Sequence, residues 1–492
     1  MTTHEAVIVG AGFGGMGAAI QLDRLGIHDY VIVEREDDLG GTWHVNRYPG
    51  LAVDIASVTY SYSFEPNPNW SRVFAPGAEL KRYAEHVADT YDLRRRMRFD
   101  TTVTGATWDE AQQRWQVGIA GGDTLSARYL ITATGFLSQP KMPDIPGIDT
   151  FAGTVVHTAR WDDDVQLAGK RAAIIGTGAT AVQLIPELAA QVAELTVYQR
   201  TPIWVVPKVD APIPDVARRL FALAPATQRV ARLLNSTALE ALSVTGVLHY
   251  REARPFSQGV ELLARAHLRA QVRDPETRRK LTPTYSFGCK RPTFSNTYYR
   301  TFNQPHVHLE TTSIDRVEPD AIVTTDGRRT EIDVLVLATG FDLWEANFPA
   351  VEIVGAGGRN LGKWWRDNRF QAYAGLTIPH FPNLISLNSP YAYTGLSYFW
   401  TIETQMKHMA RLFGELRRRG ATTFDVTEEA NREFLDRMTE NLDSSVFYNG
   451  DCAGSRSYYF NPHGEAALLR PAPVVSSSLE AGRFPLDDYA FS

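Results

Sequence analysis

Cysteine is nearly missing from this chain: its 492 residues include two, Cys289 and Cys452, 163 positions apart. That spacing contains no CxxC and no metal-ligand pattern and suggests no disulfide framework. A dithiol mechanism is therefore excluded, and a reducing, cytoplasmic compartment is expected. Long apolar runs are missing too. No stretch reaches the roughly 18 residues that would span a bilayer, and the N-terminus runs almost directly into a strand without the pattern of a signal peptide. Positive charge is not in excess either. The net charge of −6 argues against nucleic acid as a partner, and the short runs Arg94–Arg96 and Arg417–Arg419 read as solvated helix faces or ends. With 44 % hydrophobic and 22 % charged residues the composition is that of a globular protein. At a prior of about 150 residues per domain, the length suggests two to four domains.

Glycine is present where it matters. EAVIVGAGFGGMGAAI places a strand at Ala6–Val9, then Gly10, Gly12 and Gly15, then a helix opening near Ala18, then a second strand at Tyr30–Val33. RAAIIGTGATAVQLI repeats the pattern at Gly176 and Gly178, with Ala181 in place of the third glycine. This is the βαβ dinucleotide fingerprint: tight turn, close approach to a pyrophosphate, close helix–strand packing, and a helix N-terminus aimed at the phosphates. The residue 24 positions after the first glycine differs between the copies, Glu34 in one and Arg200 in the other. That position faces the adenosine ribose, where a carboxylate binds a free 2′-OH and a cation accommodates a 2′-phosphate. One chain is thus expected to hold two dinucleotides, the second NADP-like. Plain glycine turns, with Arg200 a solvated strand end, are the alternative.

The expected fold class is α/β: two Rossmann-like dinucleotide-binding domains with a helical insertion. RYLITATG (Arg128–Gly135) and DVLVLATGFD (Asp333–Asp342) are near-repeats that return the chain to a dinucleotide sheet. A helix near Ala78–Tyr91 and a meander turning at Gly121–Asp123 precede the first, and the Pro-rich linker QPKMPDIPG (Gln139–Gly147) follows it. Residues 215–280 have no strand alternation and read as helical. Helices are predicted again at Ser397–Arg419 and Glu428–Leu442. The boundaries expected are 1–140 and 334–492 for the first nucleotide domain, 150–208 and 287–333 for the second, and 210–286 for the insertion.

Two dinucleotides of different ribose preference suggest FAD and NADPH, with hydride passing from nicotinamide to flavin. GGTWHVNRYPGLAVD (Gly40–Asp54) and FAGTVVHTARWD (Phe151–Asp162) resemble two fingerprints of the type I Baeyer–Villiger monooxygenases, within the flavin-containing monooxygenase superfamily. The agreement rests on Gly41, Trp43, Tyr48, Pro49, Gly50, Asp54, Phe151, Gly153, His157, Trp161 and Asp162. It extends through both glycine turns, Gln199–Thr201, GCKRP at Gly288–Pro292 and ATGF at Ala338–Phe341, and thins beyond about residue 345.

The resemblance implies an enzyme that consumes NADPH and molecular oxygen and converts a ketone to an ester or lactone through a flavin C4a-peroxide. That anion needs a cation in a water-poor site. By similarity Arg291 supplies it, Asp54 holds the arginine, and Lys290 joins Arg200 and Thr201 on the NADP 2′-phosphate. An exposed basic pair is the bland reading of Lys290 and Arg291. His157 reads either as the family histidine that links the two nucleotide domains or as a structural histidine. Trp43 and Tyr48 pack near the cofactors or are core aromatics. The wider cofactor wall implied is Gly10, Gly12, Phe13, Gly14, Gly15, Glu34, Arg35, Gly41, Thr42, Val103, Thr134 and Gly135 for FAD. For NADP it is Gly176, Thr177, Gly178, Ala179 and Thr180, and Thr339 and Gly340 join the cofactor wall from the second ATG segment. No metal is expected.

NSPYAYTGLSYFW (Asn388–Trp400) lies where relatives place a substrate loop. Its Tyr391, Tyr393, Tyr398 and Trp400 would line a pocket for a hydrophobic, ring-containing ketone, or Tyr398–Trp400 are helix core. Many family members carry a WYxG segment whose Trp N–H bonds the nicotinamide-side ribose. Here Phe447–Gly450 stands in that place, and Phe447 has no donor. Two other functions share the cofactor motifs. A sulfide or amine oxygenase is disfavoured by the Trp161-Asp162 ending and by Arg291, and a noncatalytic NADP(H) sensor would need neither Asp54 nor Arg291.

Overall fold

In a computed structural model, which describes residues 2–492, the two glycine turns open two separate sheets. The first sheet is built on β1 (Thr2–Val9), β2 (Tyr30–Val33), β3 (Met97–Arg98), β4 (Val103–Asp109), β5 (Arg114–Ile119) and β6 (Thr124–Thr132). Its order runs from a strand at Glu352–Val354 through β4, β5, β6, β1 and β2 to β3, with Leu384–Ser386 alongside β6. β1 is parallel to both β2 and β6, and Ala6–Val9 are buried. Helices on both faces of a parallel sheet make such continuous apolar strands stable. The crossover from β1 to β2 is α1 (Phe13–Arg24), which packs on the long helix Tyr398–Arg419, and α2 (Thr42–Val45) and α3 (Gly77–Thr90) lie between β2 and β3.

The second sheet holds β7 (Thr154–His157), β8 (Arg171–Ile175) and β9 (Glu194–Tyr198), in the order Val307–Glu310, β9, β8, Val334–Leu337, β7. α4 (Ala179–Ala189) is its crossover helix. Val334–Leu337 lies between β7 and β8 in full register, so the expected boundary at 333/334 is corrected: the ATG strand completes the second sheet before the chain leaves it. The near-repeat of the two ATG strands now has a physical reason. Gly10 and Gly176 have φ of 109° and 118°. A Cβ on Gly10 would stand 2.6 Å from the Ala133 carbonyl oxygen, and one on Gly176 closer still to that of Ala338. Each ATG segment therefore presses its backbone onto the first glycine of its own turn.

Residues 215–281 form α5 (Asp215–Leu223), α6 (Pro225–Ser243), a π turn, α7 (Arg254–Gln271) and α8 (Pro275–Leu281). The C-terminal helices and strands pack into the core of the first sheet, where Phe399, Met409, Phe413 and Met438 are buried in the same hydrophobic cluster as Ile8 and Ile32. Among the described residues no helix is long and apolar enough to cross a membrane.

Cys289 and Cys452 are bonded to each other, with Cα atoms 5.3 Å apart. The expectation of no disulfide is corrected, and with it the argument from cysteine usage for a reducing compartment. Distance along the chain says nothing about distance in space, and here residues 446–452 fold back on the segment before Lys290, Ser286 N–H donating to the Asp451 carbonyl at 3.0 Å. A crosslink closing so long a loop typically contributes about 2–4 kcal/mol by restricting the unfolded chain. Cys452→Ser is therefore expected to lower the thermal unfolding midpoint while leaving flavin bound. An unchanged midpoint would show that the bond contributes nothing.

Candidate active site

Both glycine turns, both ATG segments and the C-terminal stretch 456–462 line one cavity of about 1490 Å³. Its first end is the α1 turn. Gly10, Gly12, Phe13, Gly14, Glu34, Arg35, Gly41, Thr42, Trp43, Val103, Thr134 and Gly135 all reach the wall. Glu34 sits at the end of β2, buried, accepting Ala11 N–H at 2.8 Å and Glu36 N–H at 3.1 Å. The carboxylate that faces the cavity thus also ties down the glycine turn. A Cβ on Gly12 would meet nothing of the protein closer than 3.6 Å, at Gly41. Gly15 differs: it lies behind the wall, where a Cβ would overlap the Gly10 carbonyl oxygen, so its smallness serves packing alone.

At the second end, Gly176, Thr177, Gly178, Ala179, Thr180, Arg200, Thr201, Thr339 and Gly340 line the cavity. Arg200 and Lys290 face it together with Arg456, which nothing in the sequence singled out. None of the three has a carboxylate partner among the described residues. Burial, then Arg200 and Arg456, push the Lys290 ammonium down to about 8. Arg456 follows a loop in left-handed backbone (φ 50°) some 250 residues from Arg200, and only the fold brings it here.

Between the two ends stands Arg291. Its Nε donates to Asp54 Oδ2 at 2.6 Å and its Nη2 to Asp54 Oδ1 at 3.1 Å. Nη1 donates to the Tyr393 hydroxyl at 2.9 Å and to the Gly395 carbonyl at 3.3 Å. Burial works against both charges, but the pair overrides it: Asp54 is held below the usual carboxylate range and Arg291 stays protonated. Burial pushes the Tyr393 phenol up to about 12, so it remains a donor and gives its proton to the Leu396 carbonyl at 2.9 Å. Phe136, Tyr60 and Tyr398 complete an aromatic wall, Phe136 lying 5.2 Å from Tyr393 between ring centroids.

Four other expected residues lie off this wall. Tyr48 is buried and donates to Gln183 Oε1 at 3.0 Å, joining the first motif to α4. His157 accepts Ala159 N–H at Nδ1 (3.1 Å), and its Nε2 meets Thr339 Oγ1 at 3.2 Å. Burial, then Arg160, lowers its pKa, which suits a neutral, structural imidazole. Tyr391, at φ 60°, is buried near Arg369, Tyr448 and Glu465, off the cavity wall. Trp400 stands beside Arg232 rather than the cavity, because residues two apart on a helix face opposite sides and Tyr398 takes the inner one. Phe447, too, is buried, edge-on to Tyr459 and Phe460.

The residues present fit FAD and NADP. One turn has a cradle that a Gly12 side chain would fill beside a buried ribose-facing carboxylate, and the other has three cations, without carboxylate partners among the described residues, suited to a 2′-phosphate.

Comparison with known proteins agrees. The family model for pyridine nucleotide-disulphide oxidoreductases matches residues 7–240. A Baeyer–Villiger monooxygenase of Streptomyces coelicolor is 39 % identical over 99 % of this chain and 94 % of its own length. The closed crystal structure of cyclohexanone monooxygenase superimposes with a TM-score of 0.88 at 29 % identity, covering 100 % of this chain and 99 % of that one. OTEMO, solved in complex with FAD and NADP, gives 0.87 at 27 % identity, covering 99 % of each chain.

Proposed function

Since the chain belongs to the Baeyer–Villiger monooxygenases, using FAD and NADPH to insert oxygen beside a ketone carbonyl, we propose that its substrate is a hydrophobic cyclic ketone and that Arg291 is the cation of the reaction. Membership supports a ketone oxygenase over a heteroatom oxygenase or a noncatalytic sensor. When bound, FAD supplies the two-electron chemistry that joins NADPH, O₂ and the ketone. The protein supplies charge and shape. The single observation behind the assignment is the Asp54–Arg291 pair at the cavity wall between the two nucleotide ends.

A guanidinium stays charged at any working pH, so Arg291 offers a permanent positive centre where an anionic oxygen develops. Asp54 holds two of its nitrogens and leaves Nη1 turned toward Tyr393 and the loop at Gly395. Through Tyr393, the position of the cation depends on the segment that would touch substrate. Phe136, Leu396, Tyr393 and Tyr398 offer an apolar wall suited to a ring, and cyclohexanone monooxygenase has the same fold. Tyr48 acts as a positioning residue across the junction of the two sheets through Gln183, and His157 holds the second ATG segment through Thr339. The test is product analysis on panels of cyclic ketones, linear ketones and sulfides with NADPH and O₂. Cyclic ketones should give lactone fastest; sulfoxide without any lactone would overturn the reading.

Cofactor choice rests on Arg200, Lys290 and Arg456. A charge-assisted bond to phosphate is typically worth about 1.5–3 kcal/mol, so Arg200→Ala should raise the Michaelis constant for NADPH roughly ten-fold or more and leave NADH nearly unchanged. Equal effects on both nucleotides would refute the role. Lys290 adds a pH signature. Its depressed pKa makes it neutral in the free protein above about 8, and a 2′-phosphate beside it would restore the proton. The Michaelis constant for NADPH should therefore rise as pH passes upward through about 8, and that for NADH should not. Lys290→Met should flatten the NADPH profile.

A further inference from the structure

Eleven of the sixteen large hydrophobic side chains exposed among the described residues lie between Val209 and Leu263. On α5, Val216, Leu220 and Leu223 follow one another at helical spacing, with Val216 and Leu223 77 % and 86 % exposed. On α6, Val230, Leu233 and Leu234 do the same, and the two helices pack together. Both are amphipathic with the apolar face outward, the reverse of what a core-facing helix shows.

The charge on these helices is one-sided. Residues 215–271 contain eight arginines and four acidic residues in a chain of net charge −6. All four acids are engaged: Asp215 by Arg218, Glu240 by Val475 N–H, Glu252 by Arg251 and Ser444, and Glu261 by Phe287 N–H. Arg219 and Arg229 have no carboxylate partner among the described residues, and each lies within a turn of the exposed Leu and Val positions. A second copy of the chain on this face would bring like charges together. An acidic protein surface would match the arginines but is usually anchored by aromatic side chains, whereas this face is aliphatic.

We infer that the α5–α6 face docks on an anionic lipid surface, its Leu and Val side chains entering the acyl boundary and Arg219 and Arg229 reaching the headgroups. The protein sits on the bilayer and does not span it. Neither helix lines the cavity, so docking leaves the catalytic wall free.

The holoenzyme is sedimented with vesicles of phosphatidylglycerol and with vesicles of phosphatidylcholine alone. The expected result is binding to the first at low salt, weakened at high salt, with roughly ten-fold less on the second. Two variants test the two components separately. Leu220→Glu with Leu233→Glu, and Arg219→Glu with Arg229→Glu, should each lose most of the binding while retaining flavin and NADPH oxidation in solution. Equal binding to both lipids, no binding to either, variants that bind like the parent, or a dimer in light scattering that the leucine variant dissolves would each overturn the inference.

Discussion

Replacing Arg291 with alanine is expected to abolish ester or lactone formation, by about 100-fold or more, while NADPH oxidation continues in part and yields hydrogen peroxide. Removing one preorganised charge from a developing oxyanion typically costs that much in rate. Hydride transfer from nicotinamide needs no cation at this position, so reduction of the enzyme should survive and the oxygen should be lost unproductively. Asp54→Ala should weaken the same step less completely, because Arg291 keeps its bonds to Tyr393 and Gly395 but loses both bonds that fix its plane. Lactone yield and peroxide yield, measured in one reaction, separate these outcomes. An Arg291→Ala enzyme forming lactone at the parent rate would sink the assignment.

The second large effect concerns Gly12. Gly12→Val should give a folded, colourless protein. The added side chain has room against the protein itself, where the nearest atom to a Cβ is 3.6 Å away, and the space it takes is that of the pyrophosphate. Gly15→Ala makes the contrast, since its Cβ collides with the Gly10 backbone and folding itself should suffer. Flavin absorbance against far-ultraviolet circular dichroism distinguishes the two. Full flavin content in purified Gly12→Val would mean that the turn does not hold the dinucleotide.

How far the sequence could be read depended on how local each feature is. The glycine turns, Glu34 and Arg200 are legible because tight turns, βαβ length and strand ends are set within about 25 residues. Asp54 and Arg291 are 237 residues apart, and only resemblance to a family joined them beforehand. Arg456 had no motif, and its partnership with Arg200 and Lys290 exists only in the folded chain. The Cys289–Cys452 bond was invisible for the same reason: spacing along the chain is a poor guide to pairing. Trp400 failed differently. Tyr398–Trp400 read as one aromatic cluster, but helical geometry sends Tyr398 inward to the cavity and Trp400 away from it. The boundary at 333 failed because an ATG strand can close either sheet, and register rather than composition decides which.

Arg200, Lys290 and Arg456 converge on one end of the cavity with no counter-charge among the described residues. The consequence reaches beyond affinity to encounter. Three like charges at the mouth of a cleft project a field that draws phosphate-bearing nucleotides in from solution, and that field decays over about 8 Å at physiological ionic strength and about 3 Å in molar salt. The rate of NADPH capture should therefore fall steeply with added salt while that of NADH falls less, so preference between the two nucleotides becomes a function of the medium as well as of the site.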